Sequence, residues 1–225
     1  MTARLALYWA PEVDDPLHAV ASRWLGRDAE TGATLPQDAL PGIDIAEITA
    51  DPRGYGFHAT LKPPFQLAGS YEAARADAAA LAARTAPFDL PPLAVMDLGG
   101  FLALRETVPC PALQAFADSC VTAMDAHRAP PSEAEIARRR PERLSESQRE
   151  MLDRWGYPYV FADWQFHLTL SRRLSAEEKT VVMPAARRAV GEAAARSRVV
   201  RELSLFTQAA PGAPFLIAER LPLRG

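Results

Sequence analysis

The chain of 225 residues is 48% hydrophobic and 24% charged, which is enough apolar material for one large domain or for two lobes that share a core. Its net charge of −3 argues against a protein that binds long nucleic acids, because such proteins usually carry a basic excess, although a local cationic pocket is compatible with it. The N-terminal sequence does not resemble a signal peptide, and no apolar run approaches the roughly 20 residues that span a bilayer. We therefore expect a cytoplasmic protein with no membrane partner.

Hydrophobic periodicity and turn residues predict a mixture of strands and helices in the first half of the chain. The predicted elements are, in order, a strand at 4–11, a helix at 14–26, a mostly irregular stretch at 27–54 with at most one brief strand, a strand that contains His58 and stops at Pro63-Pro64, a helix at 70–86, a two-stranded hairpin at 88–106 that turns at Gly99-Gly100, and a helix at 110–128. Cys110 and Cys120 fall within that last helix, too far apart for a disulfide bond, which favours a reducing compartment.

Residues 129–150 are polar and densely charged, and we interpret them as a hinge or flap. Glutamates surround the basic triplet Arg138–Arg140, which favours a solvated, salt-bridged linker over a nucleic-acid contact. The elements predicted beyond it are a short helix near 148–156, a strand that contains His167, a helix at 175–197, and two strands at 199–208 and 214–223.

Each histidine-containing strand is thus followed by an Ala-rich helix and then by two further strands. Such a repeat predicts a duplicated α+β fold, with two antiparallel sheets flanked by helices around a central cleft. We expect a single bilobal domain over residues 1–225 with intertwined lobes. Its approximate halves are 1–128 and 151–225, joined by the charged linker 129–150.

Two short stretches share an unusual frame. Residues 56–65 read GFHATLKPPF and residues 165–174 read QFHLTLSRRL, so that Phe-His-x-Thr-Leu occurs in both. Since side chains on a strand alternate between faces, His58 and Thr60 share one polar face, and His167 and Thr169 share the other. If the two faces line one cleft, one imidazole can remove a proton from a nucleophile while the other protonates a leaving oxygen. The threonine hydroxyls would donate to the oxyanion of a phosphodiester, and this chemistry needs no metal or cofactor.

The tetrapeptides His58-Ala59-Thr60-Leu61 and His167-Leu168-Thr169-Leu170 resemble the paired His-x-Thr/Ser-x motifs of the 2H phosphoesterase superfamily, which includes 2′,5′ RNA ligase-like proteins and cyclic nucleotide phosphodiesterases. With RLALYWAP at the start, the longer run PRGYGFHATLKPPF resembles a bacterial branch found beside phosphonate-degradation genes. The resemblance implies a bilobal fold, His58, Thr60, His167 and Thr169 as the catalytic set, and metal-independent cleavage of a cyclic or 2′-linked phosphate. RNA-directed members more often have a Gly-containing turn where this chain has Lys62-Pro63-Pro64-Phe65. The branch suggests a sugar cyclic phosphate, such as 5-phosphoribosyl 1,2-cyclic phosphate.

A second set of residues is placed by the sequence where it could contact such a substrate. Lys62 and Ser171 continue the polar faces, aromatic residues could stack on a sugar or base, and arginines flanking the strands could clamp a second phosphate. These substrate-binding candidates are Lys62, Tyr8, Tyr55, Arg53, Arg172 and Ser171. The aromatic run at 155–159 could form a lid over the cleft, although packing beneath a loop explains it equally well.

The sequence leaves two other functions open. An RNA-end-processing enzyme, acting on 2′,3′-cyclic or 2′,5′-linked ends, would need a basic strip that the composition does not show. A non-catalytic module that binds a cyclic phosphate would keep both motifs. A metal hydrolase is disfavoured, because neither histidine frame contains a carboxylate.

Overall fold

The computed structural model describes residues 4–225, which form nine β-strands and eight α-helices. The strands are β1 (Arg4–Trp9), β2 (Ala59–Gln66), β3 (Phe88–Leu90), β4 (Leu93–Leu98), β5 (Phe101–Glu106), β6 (Leu168–Arg173), β7 (Arg198–Val200), β8 (Glu202–Gln208) and β9 (Leu216–Pro222). The helices are α1 (Pro16–Leu25), α2 (Ile45–Ile48), α3 (Ala50–Tyr55), α4 (Tyr71–Ala83), α5 (Pro111–Ala123), α6 (Glu133–Arg138), α7 (Glu146–Trp155) and α8 (Ala176–Ala194). None of these helices is long and apolar enough to cross a membrane.

Seven strands form one antiparallel sheet in the order β4-β5-β6-β2-β1-β8-β9, and β3 pairs with β7 in a second, small sheet. The large sheet is nearly divided in two between β6 and β2, which are joined by the single pair Ala59 and Leu168. One part therefore contains β4, β5 and β6, and the other contains β2, β1, β8 and β9. Strands from the two ends of the sequence interleave, and the two histidine motifs meet at the junction.

The long helices cover one face of this sheet. Helix α1 packs on α8, α8 on β4, α5 on β2, and α4 on α5 and β9. The covered face supplies the main apolar core, including the fully buried Leu5, Leu7, Leu61 and Leu168. A smaller apolar cluster on the other face contains Tyr8, Phe206 and Phe215. The histidines lie on that second face.

Helix boundaries follow the capping residues that are visible in the sequence. Helix α1 begins after Asp15, whose side chain accepts from the Leu17 amide, and ends at Gly26 in the left-handed conformation. Ser175 and Glu178 form a reciprocal capping box at the start of α8. The predicted hairpin is present as β4 and β5, turning at Gly99 and Gly100.

Two predictions about local structure are wrong. The stretch 27–54 contains the short helices α2 and α3, whereas the helix expected near 148–156 is present as α7 and the linker before it also contains α6. Strand β2 does not stop at Pro63-Pro64 but continues to Gln66. Proline is tolerated there because β6 pairs with β2 only at Ala59, which leaves the far end of that edge without a partner strand.

Candidate active site

The junction between β2 and β6 brings the two motifs together in register. Ala59 and Leu168 are antiparallel partners, and both are completely buried against the helices. Their sequence neighbours therefore project to the opposite face, with His58 opposite Thr169 and Thr60 opposite His167. In such a pair the diagonal neighbours lie about 7–8 Å apart, which leaves room for a phosphoryl group between the two imidazoles. The four catalytic candidates thus lie around this junction with local twofold symmetry. His58, Thr60 and Thr169 line one pocket, and His167 lines an adjoining pocket that shares Thr60; we call the two pockets together the cleft.

Each histidine is oriented by an equivalent hydrogen bond, from its Nδ1 to the carbonyl oxygen two residues before it. His58 Nδ1 lies 2.8 Å from the Gly56 carbonyl oxygen, and His167 Nδ1 lies 2.8 Å from the Gln165 carbonyl oxygen. Because a carbonyl can only accept, Nδ1 must carry the proton in each ring. The neutral rings therefore present an unprotonated Nε2, and that of His58 lies 3.4 Å from the Thr60 hydroxyl.

Burial sets the protonation of this pair. Desolvation lowers the pKa of His58 to about 4, with a further small contribution from His167, and the Gly56 carbonyl only partly opposes this. Burial likewise lowers the pKa of His167, with Arg105 acting in the same direction. Both imidazoles are consequently neutral at pH 7 in this structure and are ready to accept a proton.

Tyr8 lies beneath the first histidine. Its ring is stacked on that of His58, with centroids 3.8 Å apart and planes 21° apart. The hydroxyl group is buried and has no well-formed hydrogen bond within the described residues, although the Thr60 side chain is near enough to lower its pKa slightly. Burial nevertheless raises the pKa of Tyr8 well above its usual value, so the phenol stays a donor. A buried donor with no partner costs free energy, which a ligand oxygen in the cleft would recover.

Tyr55 also lies where the sequence suggests. It is stacked on Phe215, with centroids 5.2 Å apart, and it lines the pocket around His58. The two tyrosines therefore form one aromatic wall of the cleft.

Lys62 does not continue the histidine face, and that prediction is wrong. The pairing of β1 with β2 shifts register on both sides of Leu7, which breaks the alternation. The Lys62 side chain is 2% exposed, and its ammonium group donates to the Val121 carbonyl and lies 3.6 Å from Asp125. Burial lowers the pKa of Lys62 to about 8.

Three other candidates lie outside the cleft. Arg53 donates to the Ala46 carbonyl, and Arg172 forms ion pairs with Glu47 and Glu178. The buried Ser171 accepts from the Leu102 amide. The flanking arginines are thus engaged in the scaffold, and the prediction that they clamp phosphate is wrong.

Several residues of the cleft were not identified from the sequence. The part around His58, a cavity of about 270 Å³, is also lined by Arg4 and Arg139. The part around His167, of about 540 Å³, is lined by Phe101 and Trp164 among others. Arg139 belongs to the basic triplet that we interpreted as a solvated linker, and only its placement in space distinguishes it from its neighbours.

Tyr157 and Thr60 line both parts of the cleft. Of the aromatic run at 155–159, Tyr157 therefore lies beside both histidine pockets and Tyr159 beside that of His167, and closure of the run as a lid stays a prediction. Trp164 lines the pocket around His167 and is bonded to β2, since its indole N–H donates to the Thr60 carbonyl at 2.9 Å.

Comparisons with known proteins bear on the family and on the fold. Residues 60–216 match a sequence family described as "Protein of unknown function (DUF1045)". The chain is 36% identical over 231 residues to Ribose 1,5-bisphosphate phosphokinase PhnN of Janthinobacterium sp. (strain Marseille), and 37% identical over 220 residues to the protein of the same name from Laribacter hongkongensis (strain HLHK9). These alignments cover 99% and 94% of this chain but 51% and 50% of the relatives. The chain therefore spans about half the length of the curated relatives it matches.

Among solved structures, E. coli LigT complexed with 3′-AMP aligns over 100% of both chains, with a TM-score of 0.50 and 14% sequence identity. At this identity the likeness shows the fold alone. It confirms the α+β class and the 2H phosphoesterase fold that the paired motifs imply.

Proposed function

The chain belongs to the DUF1045 family, and we propose that it is a metal-independent phosphoesterase that opens a cyclic or 2′-linked phosphodiester by acid–base catalysis between His58 and His167. One observation carries the proposal. His58 and His167 line adjoining pockets that share Thr60 and Tyr157, and an equivalent Nδ1 hydrogen bond in each ring leaves Nε2 unprotonated. A histidine with a purely structural role would not require a second histidine in the equivalent position of the neighbouring strand with the same Nδ1 hydrogen bond.

The proposed reaction is an in-line displacement at phosphorus. One neutral imidazole accepts a proton through Nε2 from a water molecule or a sugar hydroxyl, and that oxygen attacks phosphorus. The bond from phosphorus to the leaving oxygen breaks, and the second imidazole, as its cation, gives that oxygen a proton. A phosphate anion opposite a buried imidazole raises the pKa of the ring, so the substrate itself supplies the acid form. Because the cleft is nearly symmetric, the two histidines can exchange roles with the direction of reaction.

Hydrogen-bond donors around the cleft hold the charge that develops on phosphorus. Thr60 and Thr169 lie opposite the two histidines and offer hydroxyl groups to the non-bridging oxygens. Tyr8 offers the unpartnered hydroxyl beside His58. Donors placed in this way typically contribute about 2–4 kcal/mol each to transition-state stabilisation.

We further propose a phosphorylated sugar as the substrate. The name of the relatives supports this, because hydrolysis of the bond between phosphorus and the 2-oxygen of 5-phosphoribosyl 1,2-cyclic phosphate would leave ribose 1,5-bisphosphate. The kinase activity in that name is not part of the proposal. The sequence Gly-x-x-x-x-Gly-Lys-Ser/Thr, which cradles the phosphates in P-loop kinases, is absent from this chain.

Phosphorus NMR of the chelator-treated protein tests the proposal. The substrates are 5-phosphoribosyl 1,2-cyclic phosphate, 2′,3′-cyclic nucleotides and a 2′,5′-linked dinucleotide, and the control is the double variant His58→Ala, His167→Ala. We expect conversion of the sugar cyclic phosphate, with loss of conversion in the variant. Conversion of the nucleotides alone would favour RNA-end processing. Tight binding of a cyclic phosphate with no product would favour a non-catalytic binding module.

A further inference from the structure

A second cavity adjoins the histidine cleft and is strongly cationic. It encloses about 250 Å³ and is continuous with the pocket around His58, because Arg4, Tyr55 and Arg139 line both. Five cationic side chains line it, namely Arg4, Lys62, Arg128, Arg138 and Arg139. Glu135 is the one carboxylate among its lining residues.

Two of these cations already have a carboxylate partner. Lys62 and Arg128 share Asp125, at 3.6 and 2.9 Å. The Glu135 carboxylate accepts from the backbone amide and the hydroxyl of Ser132 at the start of α6, which lowers its pKa, and Arg138 and Arg4 act in the same direction.

The other three guanidinium groups have no carboxylate within 4.0 Å among residues 4–225. Arg4 donates to the neutral amide of Gln208, and Arg139 lies over the Tyr157 ring, 4.6 Å from its centroid. The third, Arg138, is the last residue of α6. Glu135 offsets part of this charge, since Arg138 and Arg4 both lower its pKa, but one carboxylate among these cations leaves the cavity with a positive charge that an anion would offset.

We propose that this cavity is a second anion subsite, and that the substrate of this protein carries a phosphomonoester in addition to the phosphodiester that is opened. The inference rests on the proposed function, because it assigns the remote end of the same substrate. The planar fork of arginine matches the oxygens of a phosphate in two parallel hydrogen bonds. The shared wall of Arg4, Tyr55 and Arg139 places the sugar between the subsite and the histidines. The subsite favours a sugar cyclic phosphate that carries a second, remote phosphate over the same sugar cyclic phosphate without it.

The decisive experiment compares two substrates that differ only in the remote phosphate. These are 5-phosphoribosyl 1,2-cyclic phosphate and ribose 1,2-cyclic phosphate, assayed with the wild type and with Arg138→Gln and Arg139→Gln. Arg140→Gln is the matched control, since Arg140 adjoins the pair in sequence and is exposed as they are, but lines neither cavity. We expect the wild type to prefer the phosphorylated substrate by at least about 100-fold in kcat/KM. Each of the first two variants should shrink that preference by about 10–100-fold, mainly through KM. Arg140→Gln should leave the preference unchanged.

Calorimetric titration with ribose 5-phosphate gives an answer that does not depend on turnover. We expect binding to the wild type that weakens at least about tenfold in Arg138→Gln but not in Arg140→Gln. If neither cyclic phosphate is converted but this binding pattern holds, the proposed reaction fails and the subsite stands. If both substrates are converted equally well and the variants bind ribose 5-phosphate as the wild type does, the subsite is refuted and the proposed reaction stands.

Discussion

The lowered pKa of His58 predicts a specific dependence of stability on pH. The unfolded chain protonates this residue near its ordinary pKa of 6.5, whereas the folded protein protonates it only near pH 4. Between these values the unfolded state binds the extra proton, so the free energy of unfolding falls as the pH is lowered. The difference in pKa makes this loss about 2 kcal/mol between pH 7 and pH 5, rising to about 3 kcal/mol at pH 4.

Urea denaturation of the wild type and of His58→Gln at pH 7 and pH 5 measures this contribution. The carboxylates that titrate in the same range are common to both proteins and cancel in the comparison. We expect the wild type to lose about 2 kcal/mol more than the variant over this interval. An equal loss in both proteins, or an NMR titration of the His58 ring near pH 6.5, would refute the account of a half-buried imidazole that stays neutral.

Two further substitutions test how the histidine is supported. Gly56→Ala should lower the free energy of unfolding by about 1–3 kcal/mol and also reduce kcat, because Gly56 has φ of +82° and a Cβ there would clash with that of Ala29. Gly54→Ala is the control, since a Cβ at Gly54 meets nothing within 4 Å, and equal stability of the two variants in urea would contradict this account. Tyr8→Phe should reduce kcat/KM about tenfold while leaving the free energy of unfolding unchanged or up to about 1 kcal/mol higher, because it removes a buried hydroxyl with no partner. A clear loss of stability on removing that hydroxyl would show that it has a structural bond.

The catalytic candidates could be predicted from the sequence because they lie next to a buried pair. Ala59 and Leu168 mark the core side of each strand, and alternation then places the histidines and threonines on the other side. Alternation fails at Lys62, where a bulge between β1 and β2 turns the side chain into the interior. Bulges depend on the partner strand, and a single strand's sequence does not reveal them.

The arginines show a different limit of sequence reasoning. Arg53 and Arg172 adjoin the motifs in sequence, yet both are engaged with neighbouring scaffold elements. Arg138 and Arg139 lie in a charged run without periodicity, and only the three-dimensional structure shows that they line the cationic cavity. A run of like charges has the same pattern whether it faces solvent or a ligand. Proximity along the chain was therefore a poor guide to proximity in the site.

The central claim is that the two histidines act as one acid–base pair, and the turnover of single and double variants tests it most directly. The measurement is kcat for wild type, His58→Ala, His167→Ala and the double variant on the substrate that phosphorus NMR identifies. We expect each single substitution to cost about 10²–10⁴-fold, and the double variant to be little slower than the slower single one, because members of a catalytic unit are not additive. A single variant that retains turnover within a few-fold of wild type would contradict the claim.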